Sequence, residues 1–198
     1  MSDRGSDDRA IRVGGVEIRP ATARDAASFL ELYRAVAAEG GFIRTERVTG
    51  SPRRYRRRLR ASWTDREANL VALAGGRVVG SLGIARDDHP VTRHVATLGM
   101  FVDRGCRGLG IGTALMREAL RWARSVGVEK IELTVYPGNE AARALYRRFG
   151  FVEEGTLVRH SKKAGGYEDE VLMGLWLGGR GSERDGASGR PEQLGERG

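Results

Sequence analysis

The sequence predicts an α/β fold, and three observations predict it. Apolar residues recur first at strand spacing and then at helical spacing, by turns along the chain. Gly75-Gly76 separates two apolar runs as a tight hairpin would. A glycine-rich run, Arg107-Gly108-Leu109-Gly110-Ile111-Gly112, joins a strand pattern to a long helical one. Together these imply an α/β sheet whose helical crossovers cluster in the second half of the chain.

Each element has its own signal. Val16-Glu17-Ile18-Arg19 reads as a short strand closed by Pro20. Thr22 can cap a helix whose Ala26, Phe29, Leu30, Tyr33 and Val36 share one face, and Gly40-Gly41 ends it. Pro52 can open a second helix with Tyr55, Leu59 and Trp63 in a stripe four residues apart. Residues 68–74 and 77–85 are the two arms of the hairpin. Residues 94–102 form the next strand, after the polar turn Asp87-Asp88-His89-Pro90. The helix that follows the glycine run, residues 110–125, aligns Leu115, Ala119, Trp122, Ala123 and Val126 before Gly127 stops it. A strand at 131–135, a helix at 139–149 and strands at 151–158 and 167–176 complete the series.

Composition narrows the function classes. The chain has 198 residues, of which 40% are hydrophobic and 30% charged, as in an ordinary globular domain. No window approaches the roughly 18 consecutive apolar residues of a membrane span, and the first residues contain no apolar leader. Cys106 is the single cysteine, so no internal disulfide can form, and a cytoplasmic setting is expected. No membrane partner is expected. His89 and His160 have no metal-ligand spacing, so no metal is expected. Residues 1–15 and 178–198 each carry equal numbers of acids and arginines. Seven of the last 21 residues are glycine. The expected organisation is therefore a disordered N-terminal tail (1–15), one domain (16–177) and a disordered C-terminal tail (178–198). The net charge of +8 thus belongs to the middle of the chain. Much of it is the stretch 53–60, with six arginines and no acid. This stretch reads as a solvated helix face or as an attractor for an anionic acceptor.

The glycine run carries the chemistry. Glycines at 108, 110 and 112 let the backbone approach a ligand closely, and the helix that follows leaves its first N–H groups unpaired at the positive end of its dipole. That arrangement suits a phosphate or pyrophosphate. A P-loop would need Gly-Lys-Ser/Thr after four intervening residues, and a dinucleotide fingerprint would need glycine where Thr113 stands. Arg107, Gly110 and Gly112 instead resemble the Arg/Gln-x-x-Gly-x-Gly/Ala loop of the GCN5-related N-acetyltransferase (GNAT) superfamily. The segment Asn139-Glu140-Ala141-Ala142-Arg143-Ala144-Leu145-Tyr146-Arg147-Arg148-Phe149-Gly150-Phe151 resembles that family's second motif, in the family's order. The resemblance spans residues 16–177. It is closest to the small-molecule and amino-acid N-acetyltransferases, whose Gly-x-Tyr-x-Asp-Glu-type strand has its likeness here at Gly165–Glu170.

The resemblance implies a GNAT fold: a mixed, mostly antiparallel sheet of six to seven strands with flanking helices. The sheet would splay between the strands at 94–102 and 131–135. It implies acetyl-coenzyme A as co-substrate, held by Met100, Phe101, Val102, Arg107, Gly108, Leu109, Gly110, Ile111, Gly112, Thr113, Asn139 and Tyr146. It implies direct attack by an amine in a ternary complex, with Tyr146 as general acid and the Phe101 backbone N–H as oxyanion donor. Cys106, with no histidine near it in sequence, is a poor candidate for an acyl-enzyme nucleophile. Residues 94–100 contain no acid, so His94 or Glu39 is the expected base, unless a water chain serves. Glu39, Phe42, Arg44, Tyr136 and Tyr167 are the expected acceptor contacts. The expected acceptor is a small amine or amino acid. The alternatives are a macromolecular amine (protein N-terminus, ribosomal protein or aminoacyl-tRNA) met through residues 53–60, or cofactor binding without turnover. Nucleic acid is disfavoured because the stretch has few aromatic residues and no RNA-binding signature. A homodimer is compatible with the family.

Overall fold

The structure, a computed structural model, describes residues 10–178. Strand β1 (Ile11–Val13) pairs with β2 (Val16–Pro20), and helices α1 (Ala26–Glu39) and α2 (Pro52–Arg58) follow. Strands β3 (Glu67–Ala74), β4 (Arg77–Arg86) and β5 (Val95–Val102) form a meander that leads into α3 (Ile111–Ser125). The chain then runs through β6 (Lys130–Val135), α4 (Glu140–Arg148), β7 (Val152–Lys163) and β8 (Gly166–Trp176).

All eight strands lie in one sheet, ordered β1-β2-β3-β4-β5-β6-β8-β7. Every pairing is antiparallel except β5–β6. The expected mixed α/β sheet is therefore present, with one strand more than expected. That strand, β1, falls inside the stretch 1–15 assigned to a tail. Gly14 and Gly15, both at positive φ, turn the chain so that Ile11 pairs with Ile18. The ordered sheet thus begins before Val16. The rest of the expected tails, residues 1–9 and 179–198, lies outside the described residues.

Side-chain alternation splits the packing into two cores. Leu70 and Ala72 of β3 face α3, where Leu115, Met116 and Trp122 are buried with Ile131, Leu133 and Met173. Val71 and Leu73 face the other way, under Leu30 and Val36 of α1 and Tyr55 and Leu59 at α2. The Trp122 indole N–H donates to the Thr64 carbonyl at 2.8 Å, so its buried polar atom is satisfied. Helices α1 and α2 cover only part of their face, and the uncovered part is where the site lies.

Candidate acetyl-transfer site

The parallel pairing of β5 with β6 is short. Val95, Ala96 and Thr97 oppose Lys130, Ile131 and Glu132, and pairing stops there, although β5 continues to Val102 and β6 to Val135. Beyond that last rung a groove of about 1290 Å³ opens, lined by Leu98 to Val102 on one side and Leu133 to Tyr136 on the other. It continues to the glycine loop and α4, and it opens on the face that α1 and α2 leave bare.

The loop at one end of this groove is built for an anion. Gly108 and Gly110 sit at φ +77° and +81°, and a Cβ on either would meet nothing within 4 Å, so their outer side is open. The first intrahelical bond of α3 runs from Ala114 N–H to Gly110 O, which leaves the Ile111, Gly112 and Thr113 N–H groups without helical partners. Gly112 has a different reason to be glycine: a Cβ there would lie 3.1 Å from Leu145 Cδ2 and 3.5 Å from Met100 Cε. Arg148 Nη2 donates to Thr113 Oγ1 at 3.3 Å, which brings a cation to the same helix end.

A model of the acetyltransferase (GNAT) family matches residues 39–151, which include both the glycine loop and the gap above it. The chain belongs to this family. It is 37% identical over 121 residues to the L-amino acid N-acetyltransferase AaaT of Escherichia coli (strain K12), covering 56% of this chain and 73% of that protein. It is 42% identical over 96 residues to the N-alpha-acetyltransferase RimI of Mycobacterium tuberculosis, covering 48% of this chain and 58% of that protein. A GNAT-family acetyltransferase from Streptococcus pneumoniae superposes with a TM-score of 0.77 at 28% identity, over 82% of this chain and 99% of that one.

In this GNAT-family chain most of the expected residues converge. Met100, Phe101, Val102, Arg107, Gly108, Gly110, Ile111, Gly112, Thr113, Asn139 and Tyr146 all line the groove, as do Phe42, Arg44 and Tyr136. Asn139 caps α4, its Oδ1 accepting from Ala142 N–H at 3.2 Å. Tyr146 is 5% exposed, its ring 5.7 Å from that of Phe151, and burial pushes its hydroxyl pKa up to about 12. Tyr136 donates to Ser161 Oγ at 3.3 Å, with the Lys163 ammonium 4.0 Å from its ring centroid.

Four expectations need correction. The first concerns the Phe101 N–H. Asp87 N–H donates to Val95 O at 3.0 Å and Asp103 N–H to Val79 O at 2.8 Å, and the β4–β5 register has no bulge between them. Odd-numbered residues of β5 therefore bond toward β4, so Phe101 N–H faces Ser81. The donors that face the gap belong to Leu98, Met100 and Val102. Second, His94 lies at the far end of β5, where its carbonyl accepts from Glu129 and Lys130, and it does not line the groove. Third, Glu39 is held by Arg107 (2.8 Å), so the pair ties the end of α1 to the glycine loop, and Glu39 is outside the groove lining. The same guanidinium lies 4.7 Å from the Phe42 ring centroid and donates to Val102 O at 3.1 Å. Fourth, Tyr167 is 61% exposed against Lys162 and does not reach the groove. Leu109 is 62% exposed, which leaves only its backbone to serve the loop.

Three acids of the groove escaped the sequence reading: Glu67, Glu132 and Glu170. Glu170 is 2% exposed and accepts from Arg44 through both nitrogens of its fork, at 2.7 to 3.1 Å. Burial alone would raise its pKa, but the Arg44 guanidinium and the Ser161 and Thr134 hydroxyls win and hold it down at about 2. Glu132 stands on the last paired rung, its Oε1 3.5 Å from Thr97 Oγ1. These last two fall on alternate positions of their strands, Glu132-Thr134 and Glu170-Leu172. That alternation was visible, but which face of each strand would be bare was not.

Proposed function

We propose that this chain transfers the acetyl group of acetyl-coenzyme A to the primary amine of a small molecule or amino acid. The observation that carries the reading is the juxtaposition at Thr97–Glu132. There the sheet stops pairing, with an anion cradle at one end of the gap and a groove holding Glu132 and the Arg44-bound Glu170.

The residues present fit the cofactor. Glycines 108 and 110 leave the loop's outer side free of side chains, and the Ile111, Gly112 and Thr113 N–H groups suit its pyrophosphate. The Met100 and Val102 amides, which face the gap, suit the amides of the pantetheine arm. Bound there, acetyl-coenzyme A supplies the thioester carbonyl that an amine attacks.

The other roles belong to the chain. An ammonium acceptor must lose a proton before it is nucleophilic, and Glu132 Oε1, at the mouth of the gap, takes it. Glu170, held ionised by Arg44, is a poor base with a pKa of about 2 and instead fixes charge in the groove. Tyr146 Oη keeps its proton to about pH 12, so it acts as a standing hydrogen-bond donor at the sulfur end rather than as a group that titrates in the working range.

Thiol release from acetyl-coenzyme A across a panel of amines and amino acids tests the reading, and silence on every acceptor would overturn it. Glu132→Gln should lower kcat/KM about 10²-fold while calorimetric acceptor binding persists. Unchanged turnover would remove Glu132 from its role. The likeness to an N-alpha-acetyltransferase favours a second reading, acetylation of a protein N-terminus, so the panel includes short peptides with free N-termini.

A further inference from the structure

Helix α2 and the loop before it enclose a second recess, separate from the glycine loop, with a volume of about 410 Å³. Four arginines line it: Arg47 from the loop and Arg54, Arg57 and Arg58 from the helix and its end. The six arginines of residues 53–60 are therefore not one uniform basic face. Tyr55 and Leu59 dock on the core. Arg54, Arg57 and Arg58, spaced i, i+3, i+4, turn to the recess, whereas Arg53, Arg56 and Arg60 lie outside its lining.

These four guanidiniums have no acidic partner among the described residues. Arg19, Arg44, Arg107 and Arg143 of the same chain each hold a carboxylate. Like charges around a concavity focus a positive potential inside it. The recess adds hydroxyls from Thr45 and Thr49, and Thr45 Oγ1 lies 2.6 Å from Tyr33 OH. Tyr33, Thr45 and Arg58 also line the large groove, so the two spaces adjoin.

We propose that Arg47, Arg54, Arg57 and Arg58 form a binding site for a compact phosphoryl group beside the acceptor groove. Guanidinium forks match phosphoryl oxygens geometrically, and four of them exceed what a single carboxylate would need. A nucleic-acid strand fits less well. Tyr55 is 9% exposed and Tyr33 stacks on Phe101 at 5.3 Å, so neither ring is offered to a base. The group arrives either on the acceptor amine or as a free anion, and only the first source rests on the acetyltransferase reading.

The test is calorimetric titration of inorganic phosphate and pyrophosphate into the full chain at low salt, with the glycine loop first filled by saturating unacetylated coenzyme A. Saturable binding should weaken about tenfold or more in Arg54→Ala/Arg57→Ala. It should persist within about twofold in Arg53→Ala/Arg56→Ala, which removes the same charge from the same helix. Equal weakening in both variants, or no saturable binding, would overturn the site and leave a solvated basic face. Circular dichroism on both variants shows whether the fold is kept. Thiol release with phosphoserine against serine then separates the sources. A lower KM for phosphoserine, lost only in Arg54→Ala/Arg57→Ala, assigns the group to the acceptor. Equal KM values with pyrophosphate still bound assign it to a free anion. Because the titration needs no turnover, it stands even if acetyl transfer is not the reaction.

Discussion

Replacing Arg44 by Met should destabilise the protein in a way that depends on pH with a definite sign. The perturbation keeps the aliphatic stem and removes the fork that grips Glu170. In the native protein the Glu170 pKa falls from 4.5 to about 2, which corresponds to about 3 kcal/mol at neutral pH. Ser161 keeps its hydrogen bond to Glu170, and Arg44 is 57% exposed, so solvent screens part of its share. About 2 kcal/mol is therefore assigned to Arg44, or about 4–8 °C in Tm for a chain of this size. Because the folded pKa is depressed, this stability is fully present above the unfolded value of 4.5 and is lost as pH falls toward 2. In Arg44→Met, Ser161 remains to oppose burial, so the Glu170 pKa moves back up toward its unfolded value and the variant keeps only the smaller part of this pH-dependent stability. Urea unfolding followed by tryptophan fluorescence between pH 3 and 7.5 measures the gap between the two proteins. The gap should be widest near neutrality and fall to about half by pH 3. Asp25, also depressed by its partner Arg19, titrates alike in both proteins and cancels in the difference. A gap that is constant with pH would refute the electrostatic argument and leave only a packing role for Arg44.

Two further outcomes follow from the cofactor end. Gly110→Ala forces an L side chain onto φ +81°, costing about 1–2 kcal/mol, and should lower Tm and weaken coenzyme A binding in the same variant; an unchanged Tm would mean the turn relaxes. Tyr146→Phe should lower kcat about 10²-fold, and the wild-type kcat profile should show no ionisation assignable to Tyr146 up to about pH 11. A wild-type limb near pH 9 that vanishes in Tyr146→Phe would contradict the burial argument.

What could be read from the sequence was local. The Gly75-Gly76 hairpin, the amphipathic face of α3 and the glycine run between β5 and α3 are each settled within a few residues, by backbone freedom or by spacing, and each stands where it was expected. Pairing was another matter. Strand β8 inserts between β6 and β7, and this brings Glu170 to Arg44 across 126 residues of sequence. No periodicity encodes that contact. The Phe101 error has a similar root. The side to which a strand amide points flips at every residue, and only the bonds at Val95 and Asp103 set the phase.

The groove is hard to read for the same reason. Its floor is made by alternate residues of four strands: Ser81 on β4, Thr97 on β5, Glu132 and Thr134 on β6, and Glu170 on β8. In an isolated strand each of these is simply the polar half of an alternating pattern, as expected for a face turned to water. They become a site because α1 and α2 stop short of covering that face and because the sheet parts beside Glu132. The glycine loop is contiguous in the chain. The groove floor is assembled from positions that share only a face and a gap, so the acceptor specificity proposed for it is a property of topology more than of motif.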